Sequence, residues 1–202
     1  KYFNIQSKKF EIVPGSEAFI ILDTYRENAP IIKNSECTVH DIGDGVMCLE
    51  FTSKSNAIGE GIGRAMDEVV RIAEEGNWKG IVIGNNGKQF SVGANLMNVG
   101  MLAMQKQFEP LGQMIDDFQQ INMRIRTSKI PVVVATQGYV FGGGCEIAMH
   151  CDAGIYAAES YIGLVEVGVG LLPGGGGTKE FAVRASDEFF EGDVQSPTLI
   201  KY

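Results

Sequence analysis

The sequence predicts an α/β domain in which buried strands alternate with amphipathic helices, and three observations carry the prediction. Gly80-Ile81-Val82-Ile83-Gly84 is apolar on both alternating faces, and Val132-Val133-Val134-Ala135 and Ala153-Gly154-Ile155-Tyr156-Ala157 repeat that character, as strands covered on both sides do. Ile58, Ile62, Met66, Val69, Val70 and Ala73 recur at helical spacing ahead of the first strand, and Leu111, Met114, Ile115, Phe118, Ile121 and Ile125 do so between the first and second. The third observation is glycine, which crowds the segments after the second and third strands. An α/β domain presents its ligand site at the carboxyl ends of its strands, so that is where the function is expected.

Taken in order, residues 1–35 show no clear period. Pro14-Gly15 and Pro30 bracket a short apolar run, Phe19 to Leu22, and the stretch reads as a lead-in or linker before a domain spanning 36–202. From Cys37 the pattern tightens. Residues 38–42 and 46–51 flank Gly43-Asp44-Gly45, a turn that tolerates positive φ, and together they predict a hairpin. A helix over 59–75, the strand at 80–84, the long helix ending near Ile125 and the strands from 132 and 153 follow. The long helix reads as core packing rather than a partner-binding face.

Composition limits the partners. The chain has 202 residues, 45% of them hydrophobic, enough for one ordinary domain with a substantial core. A formal net charge of −8 argues against nucleic-acid binding by bulk electrostatics and leaves room for a local basic pocket, so the expected partner is a small molecule. Cys37, Cys48, Cys145 and Cys151 form no C-x-x-C pair, and His40 and His150 have no ligand-like spacing, which reads as a reducing compartment and no metal. Both histidines read as ordinary strand and helix residues. No apolar run reaches membrane-span length and the amino-terminal residues are polar and basic, so the expectation is a soluble cytoplasmic protein without membrane contact. The chain opens on Lys1 rather than methionine and stops at Tyr202 with no helix-stop signal, as a piece of a longer polypeptide would.

The chemistry lies in two carboxylates at glycine-rich turns. Glu146 follows Gly142-Gly143-Gly144-Cys145, and Glu166 sits in Ile162-Gly163-Leu164-Val165-Glu166-Val167-Gly168. Gly93 permits a turn that leaves the N–H of Ala94 facing a ligand. A helix expected to begin near Cys145 would carry Glu146 in its first turn and set the N–H of Gly143 at its N-terminus, where aligned peptide dipoles favour negative charge. Two such N–H groups converging on one point make an oxyanion hole, in which each donor contributes about 3–4 kcal/mol of transition-state stabilisation. The hole suits a thioester carbonyl becoming an enolate. The glutamates supply what it lacks, a proton acceptor for water and a proton donor for the adjacent carbon.

Four phrases in order carry a family likeness: Phe90-Ser-Val-Gly-Ala-Asn-Leu96, Ile130 through Tyr139, Gly142-Gly-Gly-Cys-Glu-Ile147, and Ile162 through Thr178 with its Leu172-Pro173-Gly174-Gly175-Gly176-Gly177 run. Over residues 38–184 the chain resembles the crotonase (enoyl-CoA hydratase/isomerase) superfamily, and looks like the hydratase part of bacterial fused 3-hydroxyacyl-CoA dehydrogenase/hydratase proteins. The resemblance implies a spiral of ββα units with the C-terminal helical region largely missing, Ala94 and Gly143 as oxyanion-hole donors, and an acyl-CoA thioester substrate. No separate cofactor is implied, since CoA is part of the substrate. Glu146 would position and deprotonate water while Glu166 handles the proton on the α-carbon, giving syn hydration of a 2-enoyl-CoA. Lys54 and Ala57, Gly93, Asn95 and Leu96, Gly142, Pro173 and Gly174 fall where the family contacts its substrate. A homotrimer or dimer of trimers, with a dehydrogenase domain ahead of Lys1, is implied for the parent protein.

The chain departs from the family at three places. Asn95 replaces a usual Asp, Val165 replaces a common Pro, and the residues after Arg184 are few and acidic where further helices normally follow. Other readings stay open at this point. A helix dipole alone favours a glutamate at position 146, charged loop residues such as Glu166 are mostly solvated, and Gly174 to Gly177 reads equally as a flexible connector. The glycines do not fit a nucleotide loop, lacking both the Walker spacing and the G-x-G-x-x-G order. An enoyl-CoA isomerase, another crotonase reaction or a non-catalytic acyl-CoA-binding module are the alternatives to a hydratase.

Overall fold

The computed structural model describes residues 1–16 and 19–187. A small antiparallel pair, β1 (Tyr2–Asn4) and β2 (Lys9–Glu11), stands apart at the amino terminus. The main sheet begins with β3 (Ile32–Lys33) and continues with β4 (Cys37–Asp41), β5 (Val46–Phe51), β6 (Gly80–Gly84), β7 (Val132–Thr136) and, beyond a short layer, β9 (Ala153–Tyr156), hydrogen-bonded in that order. β3, β4 and β5 are antiparallel, whereas β5, β6, β7 and β9 run parallel. The omitted strand, β8 (Tyr139–Phe141), pairs in parallel with β10 (Tyr161–Gly163) in a separate two-stranded layer.

Five helices connect these strands. α1 (Glu60–Glu75) crosses from β5 to β6, α2 (Leu96–Met104) and α3 (Phe108–Arg126) lie between β6 and β7, α4 (Gly143–His150) lies between β8 and β9, and α5 (Gly177–Asp187) closes the described chain. The expected hairpin is β4–β5, and its turn is built as the residues suggest: Gly43, Asp44 and Gly45 all take positive φ, at +94°, +55° and +77°. Leu49, Ile81, Ile83 and Val132 of the sheet and Ile62 and Met66 of α1 are at most 1% exposed and form the centre of the core. Each such side chain contributes about 1.5–3 kcal/mol by leaving water.

The lead-in is more involved in the domain than residues 1–35 suggest on their own. Ile32 and Lys33 pair with Val39 and Thr38, so the chain joins the main sheet before residue 36. Arg26 reaches Glu50 of β5 at 2.5 Å. Glu36, just before β4, accepts the N–H of Ile62 at 3.0 Å and so caps α1, whose N-terminal Gly59 offers no side chain.

Two expectations about helices need correction. The predicted long helix is present as α3, but it is only partly core: Asn122 and Ile125 are buried while Ile115 and Met123 stay 39% and 38% exposed. It lies along the margin between α1 and the glycine run, so one stripe packs and the rest does not. The helix read from Cys145 starts at Gly143, because the glycines continue into its first turn. The shortened C-terminal region, beyond Asp187, lies outside the described residues. Among the described residues no helix is long and apolar enough to cross a membrane.

Candidate active site

Two turns meet at the ends of the parallel strands. The first follows β6. Asn56 Nδ2 donates to the carbonyl of Gln89 and Asn85 Nδ2 to that of Phe90, each at 2.9 Å, and these bonds shape the loop leading to Ser91. Gly93 then takes φ +91°, and the chain pairs with Ile58: the N–H of Ile58 donates to Gly93 and that of Asn95 to Ile58. In that pairing the intervening N–H of Ala94 points away from Ile58, and no acceptor among the described residues meets it.

The second turn follows β8. Gly142, at φ +52°, donates to the carbonyl of Gly163 and accepts the N–H of Glu146, and the N–H of Gly143, at the start of α4, meets no acceptor among the described residues. A β-carbon on Gly93 would lie 2.9 Å from the Phe141 carbonyl oxygen and 3.3 Å from the Gly143 nitrogen, so the two turns touch. Glycine is required at Gly93 both by that approach and by its φ. Phe118 and Ile58 close in behind Gly143, their carbons 3.2 and 3.3 Å from where its β-carbon would be.

Glu166 lies against Gly142 of the second turn, and Glu146 sits in the first turn of the helix that follows it. Glu146 is 2% exposed, and its Oε1 accepts the N–H of Gly175 at 2.8 Å and that of Gly177 at 2.9 Å. The glycine run is therefore a clasp on this carboxylate rather than a loose connector. Glu166 begins a 3-10 turn, Glu166–Val169; its Oε1 lies 2.8 Å from where a β-carbon on Gly142 would be, and its Oε2 is buried without a hydrogen-bond partner. Burial pushes the pKa of Glu146 up and the charge of Glu166 adds to that, while the amides of Gly177 and Gly175 oppose it. Two interacting carboxylates beside these glycine turns are an arrangement suited to acid/base chemistry on a carbonyl compound.

The remaining expected site residues spread outward from this centre. Asn95 accepts the N–H of Met97 at 3.2 Å as the N-cap of α2, and Leu96 is 48% exposed beside it. The carbonyl of Gly174 accepts from Gln119 Nε2 at 2.6 Å, with Pro173 half-buried next to it. Ala57 ends a turn, Lys54–Asn56, in which Ser55 and Asn56 both take positive φ. Lys54 is exposed on that turn and makes no ion pair among the described residues.

Some residues that shape the site were not singled out from the sequence. Ser91 is fully buried, donating to the Asn56 carbonyl at 2.7 Å and accepting the N–H of Gly93 at 3.0 Å. Its place two residues before Gly93 is a local turn signal. The histidines sit in a strand and a helix, as read, and both have partners: His40 Nε2 lies 2.8 Å from Glu50, and His150 lies 2.7 Å from the carbonyl of Glu146 and 3.4 Å from Glu180. These partners come from the tertiary fold or from main-chain atoms, which side-chain spacing does not display. Cys145 is no candidate nucleophile, since burial, with Glu146 and Glu166 adding, pushes its thiol up to about 11. Among the described residues no group of three or more His, Cys, Asp or Glu is placed to hold a metal ion.

With this geometry in view, the comparisons with known proteins are direct. The family model described as enoyl-CoA hydratase/isomerase matches residues 41–189, and the chain belongs to this family, the crotonase superfamily. It is 42% identical over 177 residues to a probable 3-hydroxyacyl-CoA dehydrogenase of Bacillus subtilis, covering 87% of this chain and 22% of that protein. Mitochondrial enoyl-CoA hydratase of Pongo abelii is 32% identical over 137 residues, 67% of this chain and 45% of that one. The chain thus spans less than half the length of either relative. An enoyl-CoA hydratase structure from Polaromonas sp. JS666 superposes with a TM-score of 0.69 at 27% identity, over 73% of this chain and 58% of that one. The α/β architecture is the crotonase fold.

Proposed function

We propose that this chain is an enoyl-CoA hydratase domain, adding water syn across the double bond of a 2-enoyl-CoA. The observation that carries the reading is the meeting of two unpaired N–H groups, on Ala94 and Gly143, with two electrostatically coupled carboxylates. The N–H pair receives the thioester oxygen and stabilises the enolate as negative charge moves onto it. Glu146 takes a proton from water as its oxygen bonds to the β-carbon, and Glu166 delivers a proton to the α-carbon. The proton that water loses to Glu146 is balanced by the one that Glu166 gives to the α-carbon, and exchange with solvent returns both groups to their first state.

Both carboxylates are needed for this cycle, which separates it from an isomerase that moves a proton with Glu166 alone. CoA is part of the substrate, so the reading calls for no separate cofactor, and Lys54 on its exposed turn is a candidate contact for the nucleotide end. The name of the Bacillus subtilis relative, and the 22% of it that this chain covers, support a dehydrogenase region in the same polypeptide. A trimeric assembly in the cytoplasm completes the proposal. The test is loss of the conjugated thioester absorbance of crotonyl-CoA on incubation with the full-length protein, and an unchanged absorbance would refute it.

A further inference from the structure

His150 ends α4 with its imidazole buried, and none of the proposed proton transfers uses it. Its Nδ1 is 2.7 Å from the carbonyl oxygen of Glu146. A carbonyl oxygen only accepts, so Nδ1 carries the hydrogen and donates. Burial pushes the ring's pKa down, which keeps it neutral and leaves Nε2 as a lone pair. Lys179 Nζ lies 3.5 Å from Nε2 and 2.8 Å from Glu180 Oε1, which is itself 3.4 Å from Nε2. Glu180 is fully buried, and its other oxygen meets Arg126 of α3 at 2.5 Å.

The Cε1–Nε2 edge of the ring also lies beside the glycine run. A β-carbon on Gly176 would lie 3.4 Å from His150 Cε1 and 3.5 Å from Nε2, ordinary van der Waals contact. Gly176 stands between the two residues whose N–H groups hold the Glu146 carboxylate. One imidazole therefore bonds the main chain of Glu146 and lies beside the clasp on its side chain.

We propose that His150 is a positioning residue for Glu146, held in place by the Lys179, Glu180 and Arg126 cluster behind it. Its effect on turnover rests on the hydratase reading; its effect on where the Glu146 carboxylate sits does not. His150→Phe keeps a ring and removes the Nδ1 donor, whereas His150→Asn restores an N–H close to the Glu146 carbonyl. In the full-length protein, His150→Phe is expected to lower kcat on crotonyl-CoA about a hundredfold, with KM within about threefold of its original value, and His150→Asn to recover most of that loss.

In parallel, the carboxyl carbon of Glu146 is followed by NMR in glutamate-labelled protein and assigned by its loss in Glu146→Gln. The resonance is expected to move in His150→Phe and return in His150→Asn. An unmoved resonance, or undiminished kcat, in a folded His150→Phe protein overturns the proposal. If the unsubstituted protein shows no turnover, the hydratase reading falls and the resonance alone decides the role of His150. Should His150→Phe fail to fold, Glu180→Gln loosens the same ring from behind, and the Glu146 resonance must move there for the proposal to stand.

Discussion

The hydroxyl of Ser91 accepts the N–H of Gly93 at 3.0 Å, and this bond sets the turn that leaves the neighbouring Ala94 N–H without a partner. The same oxygen donates to the Asn56 carbonyl at 2.7 Å, tying the turn to the segment that leads into Ile58. Ser91→Ala would leave a buried N–H and a buried carbonyl unmatched, at a cost of about 1–3 kcal/mol. Urea denaturation should show the midpoint falling with the slope unchanged, and turnover should fall as well because the donor beside it is no longer held. A midpoint like that of the unsubstituted protein would mean that the turn holds itself without Ser91.

Gly93→Ala tests the donors more directly. The added carbon would take φ +91° into a conformation costly for alanine and would press to 2.9 Å from the Phe141 carbonyl. The two turns must separate to relieve it, and Ala94 and Gly143 then no longer aim at one point. We expect kcat on an enoyl-CoA to fall by about 10²–10³, the loss that follows removal of one oxyanion donor. Steady-state kinetics on protein checked for folding by circular dichroism provides the measurement, and full activity would remove Ala94 and Gly143 from the mechanism.

How legible this site was depends on whether each residue signals locally. β6 and β7 announced themselves because they are apolar on both faces, and Gly93 and Gly142 because glycine itself marks backbone geometry that other residues resist. β8 and β10, three residues each, are too short to show a period, and α2 runs Leu-Met-Asn-Val-Gly-Met-Leu-Ala-Met with apolar residues around the helix rather than along a stripe. The clasp of Gly175 and Gly177 on Glu146 bridges 29 and 31 residues, and Glu180 meets His150 across 30. Such contacts exist only after the chain has folded. Periodicity, which reports neighbours along one element, has nothing to say about them.

Arg26 tests how far the amino-terminal stretch belongs to the domain. Glu50 is 1% exposed, with one oxygen at His40 Nε2 and the other at Arg26. Arg26 is half-exposed, so its loss costs less than breaking a fully buried pair, about 1–2 kcal/mol. Arg26→Ala should lower the thermal midpoint, whereas a change at exposed, distant Glu109 should not. An unaltered midpoint in Arg26→Ala would leave Arg26 within the lead-in or linker that the sequence suggested for residues 1–35.

Glu146 makes a prediction about pH with a definite sign. Its folded pKa is raised above the ordinary carboxylate value, first by burial and then by the charge of Glu166. Between those two values the folded state binds more protons than the unfolded state, so this group's contribution to stability falls as pH rises through that window. Above that window the burial of this carboxylate is therefore a liability that the fold carries. Glu146→Gln removes the charge and keeps an oxygen able to accept from Gly175 and Gly177. The variant should melt higher than the unsubstituted protein at pH 7, with the difference shrinking towards pH 4, while its hydration of crotonyl-CoA falls about 10²–10⁴-fold, as when an acid/base group is removed. Thermal melts of both proteins across that pH range decide the first part, and a difference that grows on acidification would reverse the assigned direction of the shift.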